Sequence, residues 1–216
     1  MKLLLINPNT SAATLAMMLD VARGLLPGSV EIAGVCAAFG PPMIVDAAAL
    51  AAAATEVAGF GRLAGIDAVI VAAFGDPGVA ALQAANAVPV IGIGAAAMQE
   101  AAATGRRFGI VTTTPGLAGA IEAQVTGLGL AGRFTGLRLT EGGVALPADP
   151  AALIQALERA MRDCIDRDGA QAVIVGGGPL AQAAAALRHR FPAEIVEPVP
   201  AAIRQALALL RPVAPP

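Results

Sequence analysis

Short apolar runs closed by turn-forming residues alternate along the chain with longer stretches rich in alanine and leucine. The first kind reads as buried strands and the second as helices. Residues 3–6 predict a strand. Asn7-Pro8-Asn9-Thr10-Ser11 then turns the chain and caps a helix over 12–25, which ends before Pro27-Gly28. A strand at 30–35, a break at Phe39-Gly40-Pro41-Pro42 and a helix over 46–64 ending at Gly65 follow. Residues 68–72 predict a strand leading into Phe74-Gly75-Asp76-Pro77-Gly78 and a helix over 79–85, and 88–93 reads as another buried strand. The second half keeps this rhythm. A helix over 95–103 and a strand over 108–111 lead to Thr112–Thr114, which cap a helix starting near Pro115. A strand at 134–139 precedes an amphipathic helix over 150–166, where Leu153, Leu157, Met161 and Cys164 share one face. A strand at 172–175, a helix over 180–190, a short strand at 195–196 and a helix over 200–210 complete the chain. Strands alternating with helices predict an α/β fold with parallel sheets.

The pattern also repeats itself. Ala68-Val69-Ile70-Val71 recurs 104 positions later as Ala172-Val173-Ile174-Val175. Each run enters a glycine-containing loop, Gly75-Asp76-Pro77-Gly78 in one case and Gly176-Gly177-Gly178-Pro179 in the other. The opening segment through Asn7 and Thr10 has its partner, at a similar distance, in the segment from Arg107 to Thr114. Two recurrences in the same order predict two pseudo-symmetric lobes, each a short parallel sheet flanked by helices. Their strand-end loops should meet at an interlobe cleft, where open α/β sheets bind ligands. The expected division is 1–94 plus 198–216 for the first lobe and 95–197 for the second, packed as one functional unit.

Composition narrows the function. The chain is 56% hydrophobic, but much of the excess is alanine, and no run combines the length and apolarity of a membrane span. The first apolar run is too short for a signal peptide, which places the protein in the cytoplasm. A net charge of −2, with no Trp or Tyr, argues against a nucleic-acid partner. Cys36 and Cys164 form no CxxC pattern and indicate neither a disulfide scaffold nor a metal site. His189, between Arg188 and Arg190, reads as a solvated basic cap. The expected partner is a small molecule, with no metal.

Candidate chemistry lies in the strand-end loops. Asn7 to Ser11 and Thr112 to Thr114 offer hydroxyls, carboxamides and backbone amides at helix N-termini, suited to a carboxylate or a polarised carbonyl. The glycine loops let a backbone approach a ligand closely. Neither matches a phosphate or dinucleotide loop. Asp76 reads as a helix cap or as an acid/base, and Glu141 as a solvated loop residue.

Several of these words resemble the aspartate/glutamate racemase superfamily, and within it the hydantoin and allantoin racemases. The resemblance is carried by Ile6-Asn7-Pro8-Asn9-Thr10-Ser11, Gly40-Pro41 with Asp46, and Phe74-Gly75-Asp76-Pro77-Gly78. Pro89-Val90-Ile91-Gly92-Ile93, Gly105-Arg106-Arg107-Phe108 and Val111-Thr112-Thr113 extend it over essentially the whole chain. It implies two pseudo-symmetric lobes, no cofactor and a substrate held between them, and it leaves room for a homo-oligomer packed through the alanine-rich helices. It also implies two cysteines, one per lobe, that move a proton between the faces of the substrate's α-carbon. Here those positions hold Ala73 and Gly177. The resemblance therefore suggests a cofactor-independent enzyme acting on a small carboxylate or ureide and diverged from two-cysteine racemisation. Its alternatives are racemisation by other bases and ligand binding without turnover. The expected binding residues are Asn7, Asn9, Thr10, Phe74, Gly75, Thr112, Thr113, Gly177 and Gly178, with Asp76 and Thr113 as candidate catalytic groups.

Overall fold

The structure, a computed structural model, describes residues 1–177 and 180–210, and gives the backbone alone for 146–148 and 181. The first half contains β1 (Lys2–Asn7), α1 (Ala12–Arg23), β2 (Glu31–Cys36), α2 (Ala47–Gly59), β3 (Ala68–Val71), α3 (Val79–Ala85), β4 (Val90–Gly92) and α4 (Ile93–Ala102). The second contains β5 (Phe108–Thr112), α5 (Ala118–Gly127), β6 (Phe134–Leu139), α6 (Pro150–Asp166), β7 (Ala172–Gly176), α7 (Ala181–Leu187), β8 (Glu194–Val196) and α8 (Pro198–Leu209). The strands form two parallel sheets, ordered β2-β1-β3-β4 and β6-β5-β7-β8. The α/β class with two similar sheets flanked by helices is thus what the chain forms. Among the described residues no helix is long and apolar enough to cross a membrane.

Register makes the repeat quantitative. Ile6 pairs with Val71 in the first sheet, and Val111 pairs with Val175 in the second. Asn7 and Thr112, the residues that follow Ile6 and Val111, are therefore equivalent. So are the residues beyond the outer strands, because Ala37 N donates to Asn7 O and Thr140 N donates to Thr112 O.

Strand alternation divides the core. Leu3, Leu5 and Ile70 of the first sheet join Phe108, Ile110 and Ile174 of the second in one apolar cluster, completed by Met98 of α4 and Ile203 of α8. The opposite faces are covered separately. Val69 and Val71 meet Val57 of α2 and Leu82 of α3, while Val173 and Val175 meet Leu153, Leu157 and Met161 of α6. Each such aliphatic side chain contributes about 1.5–3 kcal/mol on full burial. Helix α8, last in the chain, returns to pack on α1 and along α4. Residues 211–216, which the sequence reading attached to the first lobe, lie outside the described residues.

Local signals set most element starts. Ser11 caps α1 by accepting from Thr14 N, Asp46 caps α2 by accepting from Ala49 N, and Asp149 caps α6 ahead of Pro150. The structure corrects one end: α2 stops at Gly59 rather than near residue 64. The reason is distant in sequence. Asn86 Nδ2 donates to Gly61 O, and its Oδ1 accepts from Leu63 N, so the chain is captured before it can continue as helix.

Candidate active site

The loops after β1, β3, β5 and β7 converge between the sheets, at the carboxyl ends of the strands. They enclose a cleft of about 590 Å³, part of it open to solvent. The first lobe contributes Asn9, Thr14 and Ala72 through Phe74, and the second contributes Thr113, Thr114, Gly176 and Gly177. Apolar walls come from Met43 and Ile44 of the β2–α2 loop, from Leu117 and Ile121 at the start of α5, and from Leu180.

The Asn7–Ser11 loop is braced internally. Asn7 is fully buried, and its Nδ2 donates to Asn9 Oδ1 at 2.7 Å and to Ser11 O at 3.0 Å. Ser11 N also donates to Asn9 Oδ1, at 2.9 Å. Asn7 therefore holds Asn9 in place and does not line the cleft, whereas Asn9 does. Thr10 turns to the Gly40–Pro41 segment, where its N donates to Pro41 O, and it too is off the lining.

The second lobe repeats the division of labour. Thr112, 1% exposed, shares a 2.9 Å hydroxyl–hydroxyl hydrogen bond with Thr114 and supports the loop from behind. Thr113 and Thr114 line the cleft. Sequence reading picked the braces Asn7 and Thr112 together with the lining residues Asn9 and Thr113, because both kinds carry the same polar side chains.

Ala73 and Gly177 both line the cleft, so the structure brings together the two positions that the repeat made equivalent. Their surroundings differ. Gly177 has a φ of +141°, and a Cβ built there would lie 3.2 Å from Leu180 Cδ1. Leu180 thus fills the space beside Gly177. Phe74 reaches across to the second lobe, where its ring lies 3.3 Å from the point a Cβ would occupy on Gly176. Gly75 has a φ of +99°, is not among the lining residues and backs onto Leu50. Gly178 lies outside the described residues.

Asp76 does not line the cleft. Its Oδ1 accepts from Gly94 N at 2.7 Å and its Oδ2 from Ala95 N at 2.6 Å, with Gln124 Nε2 as a further donor to Oδ2. Burial raises its pKa to about 6 against the lowering effect of these hydrogen bonds. A carboxylate so occupied gives no support to the acid/base role that the sequence suggested.

No thiol reaches the site. Cys36 ends β2 beside Asn7, and Cys164 is buried in α6 against Gly109, where burial pushes its pKa up to about 12. Glu141 is exposed and pairs loosely with Arg159. Among the described residues the cleft is lined by carboxamide, hydroxyl and apolar side chains and by no ionisable one. No cluster of three or more His, Cys, Asp or Glu residues suited to a metal occurs among them either. Sequence reading missed Thr14, Met43, Ile44, Leu117, Ile121 and Leu180 as lining. Only Leu117 and Ile121, spaced four apart, carried a local signal of a shared helix face.

Fold and cleft together define a two-lobed α/β protein with facing strand ends. The chain belongs to the Asp/Glu/Hydantoin racemase family, whose sequence profile matches residues 3–206. It is similar to the hydantoin racemase of Rhizobium meliloti, 30% identical over 213 residues that cover 95% of this chain and 87% of the relative. It also resembles the hydantoin racemase of Paenarthrobacter aurescens, at 28% identity over 215 residues covering 97% and 91%. Among solved structures, the allantoin racemase of Pseudomonas fluorescens matches with a TM-score of 0.92 and 30% identity, covering 98% of this chain and 91% of that one. An arylmalonate decarboxylase shares the fold, with a TM-score of 0.67 at 21% identity, covering 99% and 94%.

Proposed function

We propose that the protein is a cofactor-independent enzyme that takes a small uncharged ureide of the hydantoin type into the interlobe cleft, with chemistry diverged from thiol-based racemisation. The observation that carries this reading is the neutral lining of the cleft. A carboxylate moved there would lose its hydration without gaining a cation, which is costly. A cyclic ureide is neutral, and its N–H and C=O groups match the Asn9 carboxamide and the Thr14, Thr113 and Thr114 hydroxyls. The hydantoin and allantoin racemases among the relatives agree with this ligand class. Asn9 and Thr113 are the residues we assign to ligand binding, and Asp76 receives no catalytic role. Neither Ala73 nor Gly177 can carry a proton, so a thiol pair does not drive the reaction.

The neutral lining favours a second reading as well, in which the protein binds the ureide without turning it over. One experiment separates the two. The protein is incubated in D₂O with allantoin and with 5-substituted hydantoins, the ligands are followed by NMR, and binding is measured by calorimetry. Chemical change of a ureide supports the enzyme, with α-proton exchange assigning racemisation to other groups. Saturable binding without change supports the binding protein. Binding of aspartate or arylmalonates, with none of any ureide, would overturn the ligand class.

A further inference from the structure

The Asp76 carboxylate joins three pieces of the molecule that local sequence keeps apart. Its own N donates to Ala73 O, so it closes the turn that carries Ala73 and Phe74. Its oxygens cap α4, which starts directly from β4 with Gly92 at its N-cap and no capping side chain of its own. Gln124 of α5 then reaches Oδ2 from the other lobe. Gln124 lies three residues beyond Ile121 and seven beyond Leu117, so the cleft wall and the Asp76 contact share a helix face. The chain is shaped around this carboxylate. A Cβ on Gly92 would overlap the Asp76 carboxyl carbon, and one on Gly94 would lie 3.1 Å from Oδ1 and 3.0 Å from Gln124 Oε1. Asp76 itself takes a left-handed φ of 50°, which is unusual for a residue other than glycine.

We propose that Asp76 and Gln124 form a positioning pair that fixes the separation between the two walls of the cleft, Ala73–Phe74 in one lobe and Leu117–Ile121 in the other. Neither side chain bonds a polar side chain of the lining; the pair acts by holding backbone, at Ala73 O through Asp76 N and at the Gly94 and Ala95 amides through the carboxylate. Gln124 Oε1 is buried without a partner among the described residues, so packing alone does not explain why a carboxamide stands there. The groups facing the carboxylate are the Gly94 and Ala95 amides and the Gln124 side chain, and no charged side chain contributes to its raised pKa. The proposal stands whichever ligand occupies the cleft.

Amide hydrogen exchange read by mass spectrometry on the full chain tests it. In Gln124→Leu, segments 73–78 and 117–121 should exchange roughly tenfold faster or more, with β5 and β7 unchanged. Gln124→Glu supplies a signature that general destabilisation would not give. Two facing carboxyls repel at pH 7.5 and share a proton at pH 5, so both segments should loosen at the higher pH and recover protection at the lower one. Unchanged protection of both walls in these variants would overturn the proposal. So would acceleration spread evenly over all segments, or no recovery at pH 5 in Gln124→Glu.

Discussion

Ala73 and Gly177 line one cleft from two lobes, yet only Gly177 sits where a side chain would meet strain and a neighbour. Ala73 already carries a β-carbon. Gly177 combines a φ of +141° with Leu180 Cδ1 at 3.2 Å from the point a Cβ would occupy. Ala73→Cys should therefore fold with stability within about 1 kcal/mol of the parent. Gly177→Cys should lose about 1–3 kcal/mol through backbone strain and displacement of Leu180. Urea denaturation of both variants measures the difference, and equal stabilities would mean that the second lobe tolerates a thiol as readily as the first.

The two glycines under Asp76 make a steeper prediction. Gly92→Ala would drive a methyl into the carboxyl group, and core overpacking costs about 1–3 kcal/mol, occasionally more. Gly94→Ala, with its nearest neighbours at 3.0–3.2 Å, should cost less because the Gln124 amide can give way. Denaturation midpoints in the order parent, Gly94→Ala, Gly92→Ala are expected.

Asp76 also predicts a pH dependence. Its folded pKa of about 6 stands above the usual 3.8, so the folded state holds this proton more tightly than the unfolded chain. Its contribution to stability is full below the unfolded value and is lost as the pH rises through about 6. Relative to Asp76→Asn, which cannot titrate, the parent should gain about 2 kcal/mol between pH 7.5 and pH 4.5. Chemical denaturation of both proteins at the two pH values checks the sign and size.

Thiol labelling should divide the two cysteines. Cys36 is partly exposed, whereas Cys164 is buried with its pKa pushed up to about 12. In the folded protein one thiol should react readily with an aromatic disulfide reagent and the other only on unfolding. Two fast thiols would contradict the packing of α6 on β5.

Strands and helices were legible because short apolar runs buried on both faces, such as the two Ala-Val-Ile-Val runs, stop at turn residues, and because caps such as Ser11 and Asp149 act within a turn. The convergence of four strand-end loops was legible from the repeat. The work of individual side chains was not. Asp76 meets Gly94, Ala95 and Gln124 at separations of 18, 19 and 48 residues, and no local pattern encodes such partners. Asn7 and Asn9 share a residue type, yet one braces and the other lines the cleft, a distinction set by side-chain direction alone. Met43 and Ile44, just past the Phe39-Gly40-Pro41-Pro42 break, carried no sequence signal and became a wall.

The apolar cluster that runs through both sheets limits how a ligand can arrive. Lobes sharing Phe108, Ile174, Met98 and Ile203 with Leu5 and Ile70 cannot swing apart on a hinge without tearing a common interior. Entry is left to the rim. There the β2–α2 loop rests on the turn before α5, so closely that a Cβ on Gly116 would sit 2.5 Å from Val45 O. A ligand of the proposed kind would thus pass a doorway of a few residues, in a frame whose two sheets share one packed interior.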